Sequence, residues 1–121
     1  MAKLLIIDDD AQFRAFMEEA LTDSGYEVYT AENGVLGLEC VNREQPDIVI
    51  TDIVMPEKEG VEVILELKQA GDSVPVIAMS GGNLGNSNSY LHMAKKLGAA
   101  AVIAKPFQLE DLIAEINKIL D

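Results

Sequence analysis

Basic residues are scarce in this sequence, and that scarcity bears on which partners the protein can bind. Nine lysines and arginines stand against 21 aspartates and glutamates in 121 residues, so the formal net charge is −12. A surface this acidic repels phosphate backbones and anionic lipid headgroups. The composition therefore argues against direct binding of nucleic acid or of a membrane.

Cysteine is rare, and no long hydrophobic segment opens the chain. Cys40 is the single cysteine, which excludes an internal disulfide and favours a reducing compartment. Its place in a helical pattern predicts a small buried or half-buried residue rather than a reactive thiol. After Met1-Ala2-Lys3, a run of only four apolar residues leads to the first acidic cluster, too few for a signal peptide or a membrane span. We therefore expect a cytoplasmic protein that folds as a single domain over residues 1–121.

The sequence does contain an acidic run directly after a short apolar one. Leu4 to Ile7 predicts a strand that is buried on both faces. Asp8, Asp9 and Asp10 follow, and like charges this close repel unless a cation or a proton lies among them. Folding does not require such a cluster, so the run indicates a functional site. Asp10 directly precedes a predicted helix, and we expect it to be the N-cap of that helix.

Segments typical of strands and helices alternate along the chain. Apolar segments begin near residues 3, 26, 47, 74 and 99, and a helical pattern follows each one. This alternation predicts an α/β fold, a five-stranded doubly wound parallel sheet of the flavodoxin-like (βα)5 type. The second segment alternates in polarity and is expected at an edge of the sheet. The expected apolar helix positions are Phe13, Phe16, Met17, Ala20 and Leu21; Val35, Leu38 and Val41; Val61, Ile64, Leu65 and Leu67; Tyr90, Leu91, Ala94 and Leu97; and Leu109, Leu112, Ile113, Ile116 and Ile119.

Polar side chains lie just past four of the predicted strands. The carboxyl ends of the strands form the ligand-binding edge of a doubly wound sheet. The residues at this edge are Asp8, Asp9, Asp52, Ser80 and Lys105. Carboxylates suit Mg²⁺, a carboxylate can act as a nucleophile toward phosphorus, and hydroxyl and ammonium groups can bind phosphoryl oxygens. The set therefore predicts a site for Mg²⁺-assisted phosphoryl transfer.

These motifs together resemble the CheY-like receiver domain of two-component response regulators, and the resemblance covers the whole chain. It rests on the acid pair Asp8-Asp9, on Asp52-Ile53-Val54-Met55-Pro56 with Gly60 after it, on Ser80, and on Lys105-Pro106-Phe107. The resemblance implies that Asp52 accepts a phosphoryl group. It implies that Asp9, Asp52 and the Val54 carbonyl bind Mg²⁺ directly, with Asp8 helping through water. It also implies a cis Lys105–Pro106 bond, which would place the ammonium of Lys105 over the site.

The resemblance also implies partners. A sensor histidine kinase or a phosphotransfer protein would supply the phosphoryl group. A downstream protein effector would bind the fourth helix, the fifth strand and the fifth helix, within Tyr90 to Asp121. The chain is then a signalling domain that catalyses only its own phosphorylation and dephosphorylation.

The sequence departs from the family pattern in two places. Val102 stands where the family usually has Tyr or Phe, a ring that swings inward on phosphorylation, and valine cannot make that movement. The loop from Gly81 to Ser89 is rich in Gly, Asn and Ser and is longer than is common. Either the loop carries the switch by becoming ordered, or it is a tolerated surface insertion. His92, the single histidine, is expected to face solvent or a partner rather than to carry phosphate.

Two other functions compete with the phosphorylated receiver. A divergent receiver could act as an interaction module without phosphorylation, which Val102 favours and the complete set of acids, Ser80 and Lys105 opposes. Alternatively, Asp8-Asp9-Asp10 could be the nucleophile motif of a small aspartyl-phosphate phosphatase. That family usually has Thr or Val where Gln12 stands here, so the receiver is preferred.

Overall fold

A computed structural model describes residues 1–53, 60–69, 74–81, 95–96 and 98–121. Five parallel strands form one sheet in the order β2-β1-β3-β4-β5. This confirms the doubly wound α/β fold and the edge position of the second strand. The strands are β1 (Lys3–Ile7), β2 (Glu27–Ala31), β3 (Ile48–Asp52), β4 (Val76–Gly81) and β5 (Ala101–Lys105).

Four helices cover the two faces of the sheet in the described part of the chain. In each helix apolar residues recur at the helical period, which gives the helix one apolar face. Helix α1 and the C-terminal helix pack on one face, and α2 and α3 pack on the other. The helices are α1 (Ala11–Asp23), α2 (Gly34–Glu44), α3 (Gly60–Gln69) and the C-terminal helix (Leu109–Leu120).

The central strands explain why the core splits into two clusters. Successive strand residues point to opposite faces. In β1, Leu4 and Ile6 therefore pack with Met17 and Leu21 of α1, whereas Ile7 packs with α2 on the other face. All four apolar residues of β1 are fully buried, as expected for a central parallel strand. The two clusters anchor β1 from both sides, so the direction in which it leaves the core is fixed.

Three predicted core positions are wrong. Phe16, Val35 and Leu65 are 58%, 47% and 38% exposed. In each of these three helices the buried stripe is narrower than the apolar pattern indicated. A residue next to a buried position already points toward the exposed edge of the stripe. In α2 the buried stripe includes Gly37 and Cys40, which are small enough to let the helix lie close to the sheet.

Cys40 is 3% exposed, and burial raises the pKa of its thiol. The expectation of a small buried residue is therefore confirmed. None of the helices in the described ranges has both the length and the apolar character that crossing a bilayer requires. The predicted fourth helix and the predicted loop after Ser80 lie outside the described residues, apart from Gly81, Lys95 and Lys96.

Gly37 is the closest approach of α2 to the sheet and provides a test of this packing. A Cβ atom at Gly37 would lie 2.3 Å from Cδ1 and 2.9 Å from Cγ1 of Ile7. We expect Gly37→Ala to lower the free energy of unfolding by roughly 1 kcal/mol, because overpacking outweighs the better helix propensity of alanine. Chemical denaturation measures the change.

Ile7→Val supplies the control, since it deletes the nearest atom. Alone it is expected to cost roughly 1 kcal/mol. Combined with Gly37→Ala it should cost clearly less than the sum of the single changes. Additive costs would contradict the close approach of α2 to β1.

Candidate functional site

The carboxyl ends of three strands bring the predicted site residues together. Ile7 pairs with Thr51 in the register of β1 and β3, so Asp8 and Asp52 come next to each other. Strand β4 separates β3 from β5, and Lys105 ends β5 opposite Gly81. Asp52 and Lys105 are therefore the last residues of their strands, and Asp8 directly follows β1. Strand β4 lies between Lys105 and Asp52, and both β4 and β3 lie between Lys105 and Asp8, so the long lysine side chain reaches the two acids across these strand ends.

Asp8 is fully buried, and each of its polar atoms has a hydrogen-bond partner. Its Oδ1 accepts a hydrogen bond from the Asp10 amide at 2.9 Å, and its Oδ2 accepts one from Lys105 Nζ at 2.7 Å. Arg14 Nη1 donates to the Asp8 carbonyl at 2.7 Å, and the Asp8 amide donates to the Ala31 carbonyl at 3.1 Å. A buried carboxylate needs such partners, because an unpaired buried charge is strongly unfavourable.

Lys105 connects the acids of two strands. Its Nζ lies 2.7 Å from Asp8 Oδ2 and 3.2 Å from Asp52 Oδ2, and its side chain is 20% exposed. Burial by itself lowers the pKa of the ammonium, but the hydrogen bond to Asp8 and the charges of Asp52 and Asp8 outweigh it, so the pKa is raised. Lys105 is therefore held in its charged form. The Lys105–Pro106 bond is cis, as the resemblance implied.

Asp9 is exposed but lies within the same cluster. One carboxylate oxygen from each of Asp8, Asp9 and Asp52 lies within 4.8 Å of the others. Oxygen donors from several carboxylates are the ligands that Mg²⁺ prefers, together with water. The three acids thus fit such an ion. Because Asp8 and Asp52 also bind Lys105, the lysine and a metal ion share the same carboxylates.

Asp10 caps α1 and takes no part in the cluster. Its backbone is extended, and its Oδ1 accepts hydrogen bonds from the amides of Gln12 at 3.0 Å and Phe13 at 3.1 Å. The predicted N-cap is confirmed. The cap also fixes the first turn of the helix beside the acids.

Ser80 lies within β4, one residue before the strand ends. Its side chain is fully buried, and its Oγ has no hydrogen-bond partner among the described residues. A buried hydroxyl without a partner is uncommon and costs free energy. The neighbouring Asp52 pairs with Met79, so Ser80 stands one step farther along the same edge.

Val54, whose carbonyl was expected to bind Mg²⁺, and His92 lie outside the described residues. Val102 is half-buried and packs against the core on the α2 and α3 face. It lies on the face of β5 opposite to the one covered by the C-terminal helix.

Two site residues were missed at the sequence level. Arg14 binds the carbonyl of Asp8, and the ring of Phe13 lies under the Lys105 ammonium, with Nζ 4.1 Å from the ring centroid. Phe13 had been assigned to the core alone. Its place in the first turn after Asp10 was the available signal, because that turn begins at the acidic run.

Comparison with known proteins decides the family. The family model described as the response regulator receiver domain matches residues 4–117. The chain belongs to this family. It is a signalling domain of the kind found in two-component systems, as the motifs had indicated.

Individual relatives agree. Response regulator MprA of Mycobacterium leprae (strain TN) is 35% identical over 118 residues, which cover 98% of this chain and 50% of that protein. Sporulation initiation phosphotransferase F of Bacillus subtilis (strain 168) is 32% identical over 119 residues, covering 98% of this chain and 93% of that protein. The receiver chain thus spans about half the length of MprA and nearly all of the second relative.

Solved structures share the fold. A response regulator receiver domain protein from Clostridium thermocellum has a TM-score of 0.90 at 31% identity, covering 99% of this chain and 94% of that one. The chemotaxis response regulator CheY4 of Vibrio cholerae has a TM-score of 0.85 at 27% identity, covering 98% of each chain. The five-stranded receiver architecture is therefore common to all of them.

The cluster of acids makes a prediction about stability. Asp9 adds a negative charge beside Asp8 and Asp52, so Asp9→Asn should raise the metal-free free energy of unfolding by roughly 0.5 kcal/mol. Mg²⁺ should raise the melting temperature of the wild type through linkage, and should raise that of the variant less. Thermal denaturation in EDTA and in Mg²⁺ measures both.

Glu19→Gln is the matched control, because it removes one exposed charge from α1 outside the cluster. It should leave the effect of Mg²⁺ unchanged. An Asp9→Asn variant that melts lower than the wild type in EDTA would show that the acids do not repel one another.

Proposed function

We propose that Asp52 accepts the phosphoryl group of this receiver in a Mg²⁺-dependent reaction. The observation that supports this most is the bridge from Lys105 to both Asp8 and Asp52. It joins a buried acid, a less buried acid and a cation at one sheet edge. Of the three clustered acids, Asp52 is at the end of the central strand β3 and is slightly exposed, at 9%.

The proposed step forms one bond and breaks one. A carboxylate oxygen of Asp52 attacks the phosphorus of a phosphohistidine in the donor protein and forms an acyl phosphate. The phosphorus–nitrogen bond of the donor breaks, and the imidazole nitrogen keeps the electron pair. A proton from water reaches the imidazole as the bond breaks, so the donor histidine leaves in its neutral form.

Asp9, Asp52 and the Val54 carbonyl would hold Mg²⁺ directly, and Asp8 would help through water. When bound, the ion would neutralise negative charge on the acids and on the incoming phosphoryl group. The described residues that fit it are the three clustered acids. Asp8 is better suited to the indirect role, because its carboxylate oxygens already bind Asp10 and Lys105.

Lys105 and Ser80 would bind the phosphoryl group once it is attached. Lys105 is charged and lies 3.2 Å from Asp52 Oδ2, so a short movement would pair it with a phosphoryl oxygen. The buried Ser80 hydroxyl is a donor without a partner in the described ranges. A phosphoryl oxygen on Asp52 would accept a hydrogen bond from this hydroxyl, and phosphorylation would thereby be coupled to β4.

The alternative phosphatase is opposed by the geometry of the acidic run. Its nucleophile would be Asp8, which is fully buried and bound through both carboxylate oxygens. Asp10 is engaged as a helix cap. The alternative interaction module is favoured by Val102, which is half-buried in the core and lacks a ring that could swing.

Phosphorylation with a small phosphodonor tests the proposal. Acetyl phosphate and Mg²⁺ should label the wild type, and EDTA should prevent labelling. Asp52→Asn should abolish it, because the nucleophile is gone. Asp8→Asn should slow labelling by roughly 10- to 100-fold without abolishing it, since Asp8 supports the metal and the lysine indirectly. Phosphate-binding gel electrophoresis measures the rates.

The variants separate the competing functions. Labelling that survives Asp52→Asn but disappears in Asp8→Asn would favour the phosphatase. A wild type that is never labelled would favour the phosphorylation-independent module. Glu19→Gln serves as the charge-matched control and should be labelled at the wild-type rate.

The partners proposed are a histidine kinase or phosphotransfer protein and an effector that binds β5, the C-terminal helix and the predicted fourth helix. A pull-down with and without beryllium fluoride, a phosphoryl mimic at Asp52, tests the effector. We expect more effector to be captured in the presence of the mimic. Asp52→Asn should remove the difference, and equal capture by the wild type in both conditions would contradict phosphorylation-dependent signalling.

A further inference from the structure

The ammonium of Lys105 has a third described neighbour besides the two carboxylates. Its Nζ lies 4.1 Å from the centroid of the Phe13 ring, over the face of that ring. A cation within about 6 Å of a ring face is attracted by the negative face of the π system. The lysine is thus held between two acids and an aromatic ring.

Both elements that meet at the site hold this ring in place. Asp10 caps α1 and accepts a hydrogen bond from the Phe13 amide at 3.1 Å, which fixes the backbone of the first turn. On the other side, Phe107 follows Lys105 by two residues and packs edge-to-face on Phe13. The ring centroids are 6.1 Å apart, and the ring planes are at 86°. The position of the ring therefore depends on both α1 and the end of β5.

The ring differs in kind from the other partners of the lysine. Asp8 and Asp52 are also among the acids that fit Mg²⁺, so the lysine and the ion draw on the same carboxylates. The ring attracts the ammonium without adding a negative charge. A further carboxylate in its place would bind the lysine but would repel an incoming phosphoryl group. A neutral ring avoids that conflict.

We propose that Phe13 is a positioning residue for Lys105. The Phe13 ring keeps the ammonium beside Asp52 while the acids bind other groups such as Mg²⁺. The inference rests on the proposed function of Asp52. A lysine has four flexible side-chain torsions, and an ammonium released from Asp8 would otherwise be free to move to solvent. The ring limits that movement and leaves Nζ able to reach a phosphoryl oxygen.

A purely apolar role for Phe13 is the competing explanation, since its ring also packs beside the core on the α1 face. Leucine would fill most of such a place but has no π face. Tyrosine keeps both the bulk and the face. Comparing Phe13→Leu with Phe13→Tyr therefore separates the two roles, and Phe16→Leu, which removes an exposed ring of the same helix, is the matched control.

The first measurement does not depend on phosphorylation. In protein saturated with Mg²⁺, where the acids bind the ion, ¹³Cε relaxation of labelled lysine reports the mobility of the Lys105 side chain. We expect greater mobility in Phe13→Leu, and wild-type mobility in Phe13→Tyr and Phe16→Leu. Wild-type mobility in Phe13→Leu would overturn the proposal.

The second measurement is the maximal rate of labelling by acetyl phosphate at saturating Mg²⁺. Phe13→Leu should lower it roughly three- to tenfold, which corresponds to about 0.6–1.4 kcal/mol. The donor concentration at half-maximal rate should not change, and Phe13→Tyr should restore the rate. Equal rates in Phe13→Leu and the wild type would overturn the proposal and leave the role of Asp52 intact.

Fluorinated phenylalanines at position 13 guard against misfolding of Phe13→Leu. One to three ring fluorines withdraw electron density from the face and change the shape little. We expect the rate to fall stepwise with each fluorine, and a flat series would overturn the proposal. If the wild type is not labelled at all, the proposal that Asp52 accepts the phosphoryl group is wrong. The mobility of the Lys105 side chain then still tests the role of Phe13.

Discussion

The burial of Asp8 is the constraint on which the site depends. Its carboxylate is fully buried at the end of a central strand, where an unpaired charge would be strongly unfavourable. Lys105 supplies the compensating cation from the far side of β4, and in doing so it comes within 3.2 Å of Asp52. One ion pair thus satisfies a buried acid and also places a cation beside the proposed phosphoacceptor. The parallel sheet makes this possible, since the carboxyl ends of β1, β3 and β5 lie on one edge.

The first turn of α1 organises the other side of the site. Asp10 caps the helix, Phe13 contacts the lysine, and Arg14 binds the carbonyl of Asp8. These residues need the helix to begin directly after the acidic run, which the core cluster on the α1 face supports by holding β1 and α1 against each other. The short segment from β1 through the first turn of α1 therefore specifies both the local fold and this side of the site.

Most of the fold followed from the sequence, because buried parallel strands and amphipathic helices leave strong periodic patterns. Strand positions, the edge strand and the cap at Asp10 were all predicted. Helix faces were less predictable, since an apolar residue such as Phe16 can lie at the rim, and a small one such as Gly37 can lie at the closest contact. Within the site, the residue types at the strand ends predicted which side chains lie close together. They did not reveal that Lys105 binds Asp8 across β4 and β3 or that Phe13 lies under the ammonium, because such contacts depend on side-chain directions.

The central claim is that the covalent chemistry occurs on Asp52, with the other acids in supporting roles. Borohydride reduction of the phosphorylated protein tests it directly, because it converts an aspartyl phosphate to homoserine and leaves free carboxylates unchanged. Mass spectrometry of the digested protein then locates the modified residue. We expect homoserine at position 52 alone. Homoserine at position 8, 9 or 10 instead would contradict it.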